Sequence, residues 1–413
     1  MKTLVYRLLK NLEGITKIDN VYLAKYGSYI VIGKIVSAAI TFLLSVAYAH
    51  YLPKEIFGDY KFLLSVVGII GITALGGIDI AVIQAVTRGL SGTLKRGLNL
   101  KLKWSLFGSI LSLGCASYFW YFAQNPPLAK AFMSVALFLP IYQSAGIFQS
   151  FLLGRKLFLS NTIFATGIKI VSSAALVLVM TMKPSLTWLV LANLGTFTIL
   201  NVIILLWVIK KYKPNEKVSE EAIVFGKKIS FLDALSLLSA YLDQLLVFNF
   251  LGPIQLATYT FAKAPEEQLK GAWKPFKDLM VSKFVERPSE DIKKTIYRKM
   301  ALTGVLTVGV IIAYILLAPW FFRTFFPNYM EAVLLSQVYI LAFISQPVLI
   351  TTAVFEAKLK TDLFYKIRLT LESLQIVGLI VFLSLFGIWG LIGVKVGINF
   401  IRLFLHLYFV KKI

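Results

Sequence analysis

One cysteine and two histidines in 413 residues leave little metal or redox chemistry to build with. Cys115 stands alone inside an apolar run, so no disulfide framework, zinc site or iron–sulfur site can be assembled around it. It reads as a packed structural cysteine. His50 and His406 sit at the ends of widely separated apolar runs, and no His/Asp/Glu grouping suggests a metal or any other cofactor. The stretch from Gly27 to Ile35 has the wrong gap between its glycines, and an isoleucine where a phosphate-binding loop needs a hydroxyl, which excludes soluble ATPase chemistry. Charge is scarce as well. Charged residues are 15% of the chain, against about 25% in an ordinary soluble domain. Acidic residues are the scarcer sign, 20 Asp+Glu against 43 Lys+Arg, for a net charge of +23.

What is abundant is apolar surface, at 58% of residues. That excludes disorder, which needs low hydrophobicity with high charge. It also argues against nucleic acid as a partner, because such proteins spread their bases over a wet surface, whereas here the apolar residues come in long runs. A membrane helix needs about 20 mostly apolar residues. Eleven runs qualify: 27–51, 59–86, 104–123, 131–153, 159–181, 186–209, 229–250, 297–318, 332–354, 365–386 and 388–410. A twelfth, 254–284, needs a separate argument. The joints are short and hold turn formers such as Asn125-Pro126-Pro127 and Lys183-Pro184-Ser185. Residues 1–26 are not a secretory signal, since the apolar run after them is too long for one. Leu4, Leu8, Leu9, Leu12 and Ile15 recur at helical spacing among bases, as in an amphipathic helix lying on the cytoplasmic surface.

The bases set the orientation. With the N-terminus inside, inner segments collect 30 of the 43 bases, outer joints collect 5, and 8 fall inside spans. The positive-inside rule then puts both termini in the cytoplasm. This expectation holds only if 253–284 crosses the membrane. If it did not, the basic segment 283–299 would face outward. An internal repeat supports the crossing. A shift of 199 residues aligns 51–88 with 250–287 without a gap, matching Tyr60 to Tyr259, Phe62 to Phe261, Asp79 to Asp278 and Arg88 to Arg287. The second and eighth spans thus take equivalent places in two halves of six, an arrangement known among transporters.

The eighth span carries unusual charge. On a helix, Lys263, Glu267, Lys270, Lys274 and Lys277 share one stripe, flanked by Glu266 and Asp278, while Phe261, Ala272, Phe276 and Leu279 face the other way. A charge at the bilayer centre costs about 2.5–3.5 kcal/mol on insertion scales, so a stripe of them is tolerable only beside a water-filled cavity. Pro265 and Pro275 each remove a backbone donor and can bend the helix. The alternative is an amphipathic helix lying on the surface. Of the other embedded bases, Lys169 is too deep in its span for easy snorkelling and points to a cavity. The stems of Lys34 and Arg402 reach towards the cytoplasmic interface, and Lys395 is ambiguous. Asp79, Asp233, Asp243 and Glu372 are the acidic counterparts. They serve either as ion-coupling sites, Asp243 first and Asp79 next, or as fixed partners of the lysines. A cavity with surplus positive charge suits an anion, and lysines supply point charges for phosphate.

Two stretches resemble a known family. Tyr51-Leu-Pro-Lys-Glu-Ile-Phe-Gly58-Asp-Tyr60 leads into a span ending Gly76-Gly77-Ile-Asp79 and running to Arg88, and Asp243-Gln-Leu-Leu-Val-Phe-Asn-Phe-Leu251-Gly252 opens the second half similarly. Both, with Phe325-Phe-Pro327-Asn-Tyr329-Met-Glu-Ala332 before the tenth span, resemble polysaccharide flippases of the multidrug/oligosaccharidyl-lipid/polysaccharide exporter superfamily. The resemblance implies an all-α polytopic membrane protein of 12 transmembrane helices in two pseudo-symmetric six-helix lobes. On this chain those are 27–212 and 229–413, joined by a cytoplasmic linker at 213–228. It implies a multi-pass protein of the cell (inner) membrane that turns polyprenyl-diphosphate-linked oligosaccharide from the cytoplasmic to the outer leaflet. Its partners would be that substrate, membrane lipids and polysaccharide polymerase machinery. The diphosphate would sit on Lys263, Lys270, Lys274 and Lys277, helped by Lys34 and Lys169. The eighth span is more charged than the family pattern, so residue roles there rest on the residues themselves.

Three other classes fit less well. A drug or metabolite antiporter of the same superfamily shares the fold, but a cationic substrate favours an acidic cavity. A polymerase or ligase needs a sizeable outer loop, and an ion channel needs a filter-like segment. Neither is visible, so no catalytic residue is expected. Cysteines introduced over 283–299 should react with a membrane-impermeant thiol reagent only from the inner face, and labelling from outside alone would overturn the spanning eighth segment.

Overall fold

The computed structural model describes residues 20–182, 184–286, 289–357 and 361–409, with Lys274 and Lys277 described in backbone only. The amphipathic stretch expected over Leu4 to Ile15 lies outside the described residues. Those described form helices and turns, with no strand among them. In chain order the α-helices are α1 (Asn20–Tyr51), α2 (Lys54–Ile70), α3 (Gly77–Thr87), α4 (Thr93–Tyr121), α5 (Pro126–Ser144), α6 (Phe148–Gly154), α7 (Phe158–Met182), α8 (Leu186–Val190), α9 (Thr196–Tyr212), α10 (Glu220–Glu286), α11 (Ser289–Phe325), α12 (Ala332–Tyr339), α13 (Val348–Ala357) and α14 (Thr361–Phe409).

Among the described residues, nine segments are long and apolar enough to cross a membrane. Two of these are double. Sixteen residues of straight helix would separate Asp243 from Tyr259 by about 24 Å, yet the Tyr259 hydroxyl donates to Asp243 Oδ2 at 2.8 Å. The chain therefore folds back within α10, and it does so at Gly252 (φ 86°, ψ 176°), a conformation essentially reserved for glycine. In α14 the same role falls to Gly387 (φ 58°, ψ −142°), and a Cβ on Gly378 would touch Val394 across the bend at 3.0 Å. Helix α4, 29 residues long, also spans by length, about 44 Å, although its basic first turns dilute its apolar character. With the two bends and α4 counted, twelve passes result.

Several passes are not continuous helices. The second, expected as one run over 59–86, breaks at a 3₁₀ turn over Gly71–Ala74, followed by Leu75 in the left-handed region (φ 51°). The eighth is assigned as helix throughout, including Pro265 and Pro275. A 3₁₀ turn at Ala145–Ile147 interrupts the fourth pass and another at Ile340–Ser345 the tenth. The 199-residue shift carries the first onto the edge of the second, so the repeat extends to irregular backbone.

The chain forms two compact units. One runs up to Tyr51 and resumes over Val67–Leu237. The other takes Leu52–Val66 with Leu238 onward. In lipid, helices gain little from apolar burial against each other, so close approach of small residues matters more. In the first unit the N–H of Gly77 donates to Ser230 Oγ at 3.0 Å, and that hydroxyl donates to the Gly226 carbonyl at 2.9 Å. A Cβ on Gly226 would meet the Gly77 carbonyl oxygen at 2.8 Å and Ala81 Cβ at 2.9 Å. Beside this crossing, Ile78 and Val82 of α3 pack with Phe148 and Phe151 of α6 and with Leu205 and Val208 of α9. Asn215, in the segment read as a linker, holds the turn before α4. Its side-chain amide donates to the Gly89 carbonyl at 2.8 Å and its Oδ1 accepts from Gly92 N at 3.1 Å.

In the second unit, aromatic rings from α2 and the second arm of α10 form the packing around the joint before α12. Phe57 lies 5.2 Å from Phe261, and Phe261 lies 4.1 Å from Tyr329. Gly58 sits directly on the Pro253 backbone, where a Cβ would overlap the carbonyl. The Gly226→Val variant should lower the thermal midpoint of the detergent-solubilised protein, since overpacking costs about 1–3 kcal/mol. At Gly271 a Cβ would meet nothing within 4 Å, so Gly271→Ala should leave the midpoint unlowered, and equal midpoints for the two variants would contradict the crossing.

Candidate functional site: a charged interior in the second unit

The charges in the second unit assemble around the bend at Gly252. Asp243, on the first arm of α10, is 2% exposed, and Lys263, on the second arm, is 4% exposed. Asp243 Oδ2 accepts from Tyr259 and lies 3.2 Å from Lys395 Nζ and 3.9 Å from Lys263 Nζ. The Lys263 ammonium lies 3.1 Å from Glu267 Oε1, one helical turn on, and 5.5 Å from the Tyr259 ring centroid. Lys270 pairs with Glu266 at the same i,i+4 spacing. The last helix supplies Lys395 because α14 folds back at Gly387. The site is thus a buried carboxylate held by two ammonium groups and a phenol, continued along the helix by two local ion pairs.

Lys263, Lys270 and Lys395 stand against Asp243, Glu266 and Glu267, and Lys61 on α2 is near enough for its charge to act on Lys263 and Glu267. Burying an ammonium costs several kcal/mol unless a partner lies within reach, and each described lysine of the stripe has one. The side chains of Lys274 and Lys277 lie outside the described residues.

Cationic excess is found one step further into the unit. A cavity of about 440 Å³ is lined by Lys270, Arg368, Glu372, Arg402 and His406 among apolar and neutral groups. Arg368 Nε donates to Glu372 Oε1 at 2.9 Å. Arg402 Nη1 donates to Asn399 Oδ1 at 3.1 Å, and that oxygen also accepts from Ser345 Oγ at 2.8 Å. His406 is buried, with Nδ1 2.6 Å from Thr351 Oγ1.

The joint before α12 carries a third polar group. Lys54 pairs with Glu331, and its ammonium lies 5.2 Å from the Tyr329 ring centroid. Thr258 Oγ1 donates to Glu331 Oε1 at 3.0 Å. Burial pushes the Tyr329 phenol well above its ordinary value, and the Glu331 and Glu55 charges add to the rise.

The remaining residues singled out by sequence belong to the first unit. Lys34 is exposed on α1 and Lys169 is half-buried on α7. Asp79, on α3, lies 2.7 Å from Lys101 Nζ and accepts from Ser150 Oγ at 3.3 Å. Lys101 is 4% exposed. By sequence it counts among the inner-segment bases, yet it is the buried partner of Asp79. Asp233 lines a separate cavity of about 410 Å³ beside Gly71, Ile72 and Gly77, at the break in the second pass. The i,i+4 pairs on the eighth span are legible from spacing. The Asp243–Lys395 and Asp79–Lys101 pairs have no periodic signature, because each joins different helices. Among the described residues, no group of three His, Cys, Asp or Glu is placed to hold a metal ion.

The chain shares its fold with solved transporters. It superposes on an inward-facing multidrug resistance MATE family transporter of the MOP superfamily with a TM-score of 0.64 at 14% identity, over 91% of this chain and 95% of that one. An outward-facing MATE family transporter of the same superfamily gives 0.61 at 14% identity, over 94% and 95%. A MOP superfamily transporter from Pyrococcus furiosus Vc1, described by the reverse polarity of its binding pocket, gives 0.61 at 13% identity, over 94% and 95%. A comparison with curated proteins found no match. Residues 23–271 match the polysaccharide biosynthesis protein family, Polysacc_synt. That match covers more than half of the chain, and the chain accordingly belongs to the polysaccharide biosynthesis protein family, carried on the all-helical membrane fold of MOP superfamily transporters.

Proposed function

We propose that this protein is a flippase for polyprenyl-diphosphate-linked oligosaccharide, moving it from the cytoplasmic to the outer leaflet by alternating access. The observation that carries the reading is the polysaccharide biosynthesis family match on a transporter fold. The distribution of bases supports an inner-membrane orientation with both termini in the cytoplasm. A diphosphate needs cations that can leave their resting partners. The lysines of the eighth span suit this, because a flexible ammonium moves from a carboxylate to a phosphate without a fixed fork geometry. Lys263, Lys270, Lys274 and Lys277 take the diphosphate, with Lys34 and Lys169 contributing from the first unit. The polyprenyl tail stays in lipid, and the glycan crosses in the water-filled path between the leaflets.

On this reading the carboxylates are resting counter-ions. Asp243 stands in for the substrate anion between Lys263 and Lys395, and Asp79 is the fixed partner of Lys101. Their ion pairs favour that role over the ion-coupling role that the sequence suggested as the alternative.

Replacing Lys263, Lys270, Lys274 and Lys277 together by glutamine, with Glu266 and Glu267 also changed to glutamine so that neither carboxylate is stranded, should abolish surface polysaccharide while the protein still inserts and folds. Unchanged polysaccharide would refute the assignment. Asp243→Asn strands the Lys395 ammonium, while Lys263 keeps Glu267, and should destabilise the protein by about 3–5 kcal/mol, with Asp243→Asn/Lys395→Met recovering most of that loss. A transport-dead Asp243→Asn of normal stability, unrescued by the second change, would give Asp243 the coupling role instead.

A further inference from the structure

We infer that the cavity beside the lysine stripe is a second oxyanion site, in which Arg402 and Arg368 bind an anionic group of the lipid-linked glycan, either its phosphoryl linkage or the carboxylate of an acidic sugar. The naming of the carrier rests on the flippase reading. The site itself rests on geometry.

Lys270, Arg368 and Arg402 line the cavity against one carboxylate, Glu372. Lys270 is matched by Glu266 and Arg368 by Glu372. Arg402 differs. Its hydrogen bond goes to the neutral amide oxygen of Asn399, and among the described residues it has no ion pair. A guanidinium keeps its charge at any relevant pH and carries five N–H donors, of which that bond uses one. Asn399 holds it in place, since Asn399 Nδ2 donates to the Lys395 carbonyl at 2.8 Å and Oδ1 is also bound by Ser345. A fixed guanidinium that no carboxylate contacts directly, with Glu372 and Glu266 acting on it only from a distance, is costly facing a cavity inside a membrane protein without a ligand, and an oxyanion is the group it matches in shape and charge.

Size and surroundings restrict that ligand. About 440 Å³ accommodates a phosphoryl group or one sugar ring but not a polyprenyl chain. Gln346, Thr352 and His406 on the wall offer neutral groups for hydroxyls, and the apolar wall from Val348, Leu349 and Leu371 suits a sugar face. Lys270 belongs to both the stripe and the cavity, so the two groups of cations share a residue.

The test uses the purified full-length protein in uncharged detergent without added anionic lipid, with inorganic pyrophosphate, glucuronate and glucose as probes. Pyrophosphate or glucuronate should bind, glucose should not, and Arg402→Gln should weaken binding about tenfold or more, as expected for the loss of a charge-assisted hydrogen bond. Arg402→Lys should retain part of it. Arg368→Gln is the second variant should Arg402→Gln fail to fold, and it should weaken the same probe. Preference for pyrophosphate assigns the site to the carrier linkage, and preference for glucuronate to an acidic sugar. Anion binding that is absent, or unaffected in folded variants of both arginines, would overturn the site. Failure of the flippase reading would look different: anion binding would still depend on Arg402, while surface polysaccharide would survive loss of the lysine stripe.

Discussion

The cost of an unpaired charge inside lipid governs how this chain is arranged. Most of its bases escape that cost in the inter-helix segments. The few inside spans do not, and among the described ones the structure brings a carboxylate to Lys263, Lys270 and Lys395. Asp243 serves two lysines, Glu266 and Glu267 one each, Asp79 serves Lys101 and Glu372 serves Arg368. Acidic residues are scarce in this protein, and of the embedded ones Asp79, Asp243 and Glu372 serve as partners. That makes the one embedded guanidinium with only an amide partner, Arg402, informative.

The same constraint acts on the backbone. No water reaches the bilayer core, so chain reversals fall at helix ends and breaks fall beside polar cavities. Gly252 and Gly387 turn the chain with backbone angles that other residues rarely adopt, and each turn delivers a charge to the site. The first places Lys263 opposite Asp243 and the second brings Lys395 to the same carboxylate. The break at Gly71–Gly76 opens the cavity that Asp233 lines. Interrupted helices elsewhere, at Ala145–Ile147 and Ile340–Ser345, come in a repeat-related pair, which is what two halves of common design would produce.

Much of the fold was legible because membrane spans announce themselves by length and composition. The apolar runs, the turn-forming joints and the 199-residue repeat lead to twelve helical passes. The eighth was the hardest, being too charged for a simple reading, and its charged stripe came from spacing alone. The site was legible in part. Lys263–Glu267 and Glu266–Lys270 lie one turn apart on one helix, so periodicity finds them. Periodicity does not find Lys395 with Asp243 or Lys101 with Asp79. It also misses the irregular backbone at Leu75.

By itself the sequence determined the class of molecule: an all-helical membrane protein with a charged helix near the start of its second half. Those properties are sums over local stretches, which hydropathy and spacing report directly. Only the tertiary structure decided which charges remain unbalanced, because an ion pair between helices depends on how the chain folds back and not on distance along it. The lysine stripe, conspicuous in the sequence, proves to be internally compensated wherever it is described, while Arg402, inconspicuous near the end of the chain, is left facing a cavity.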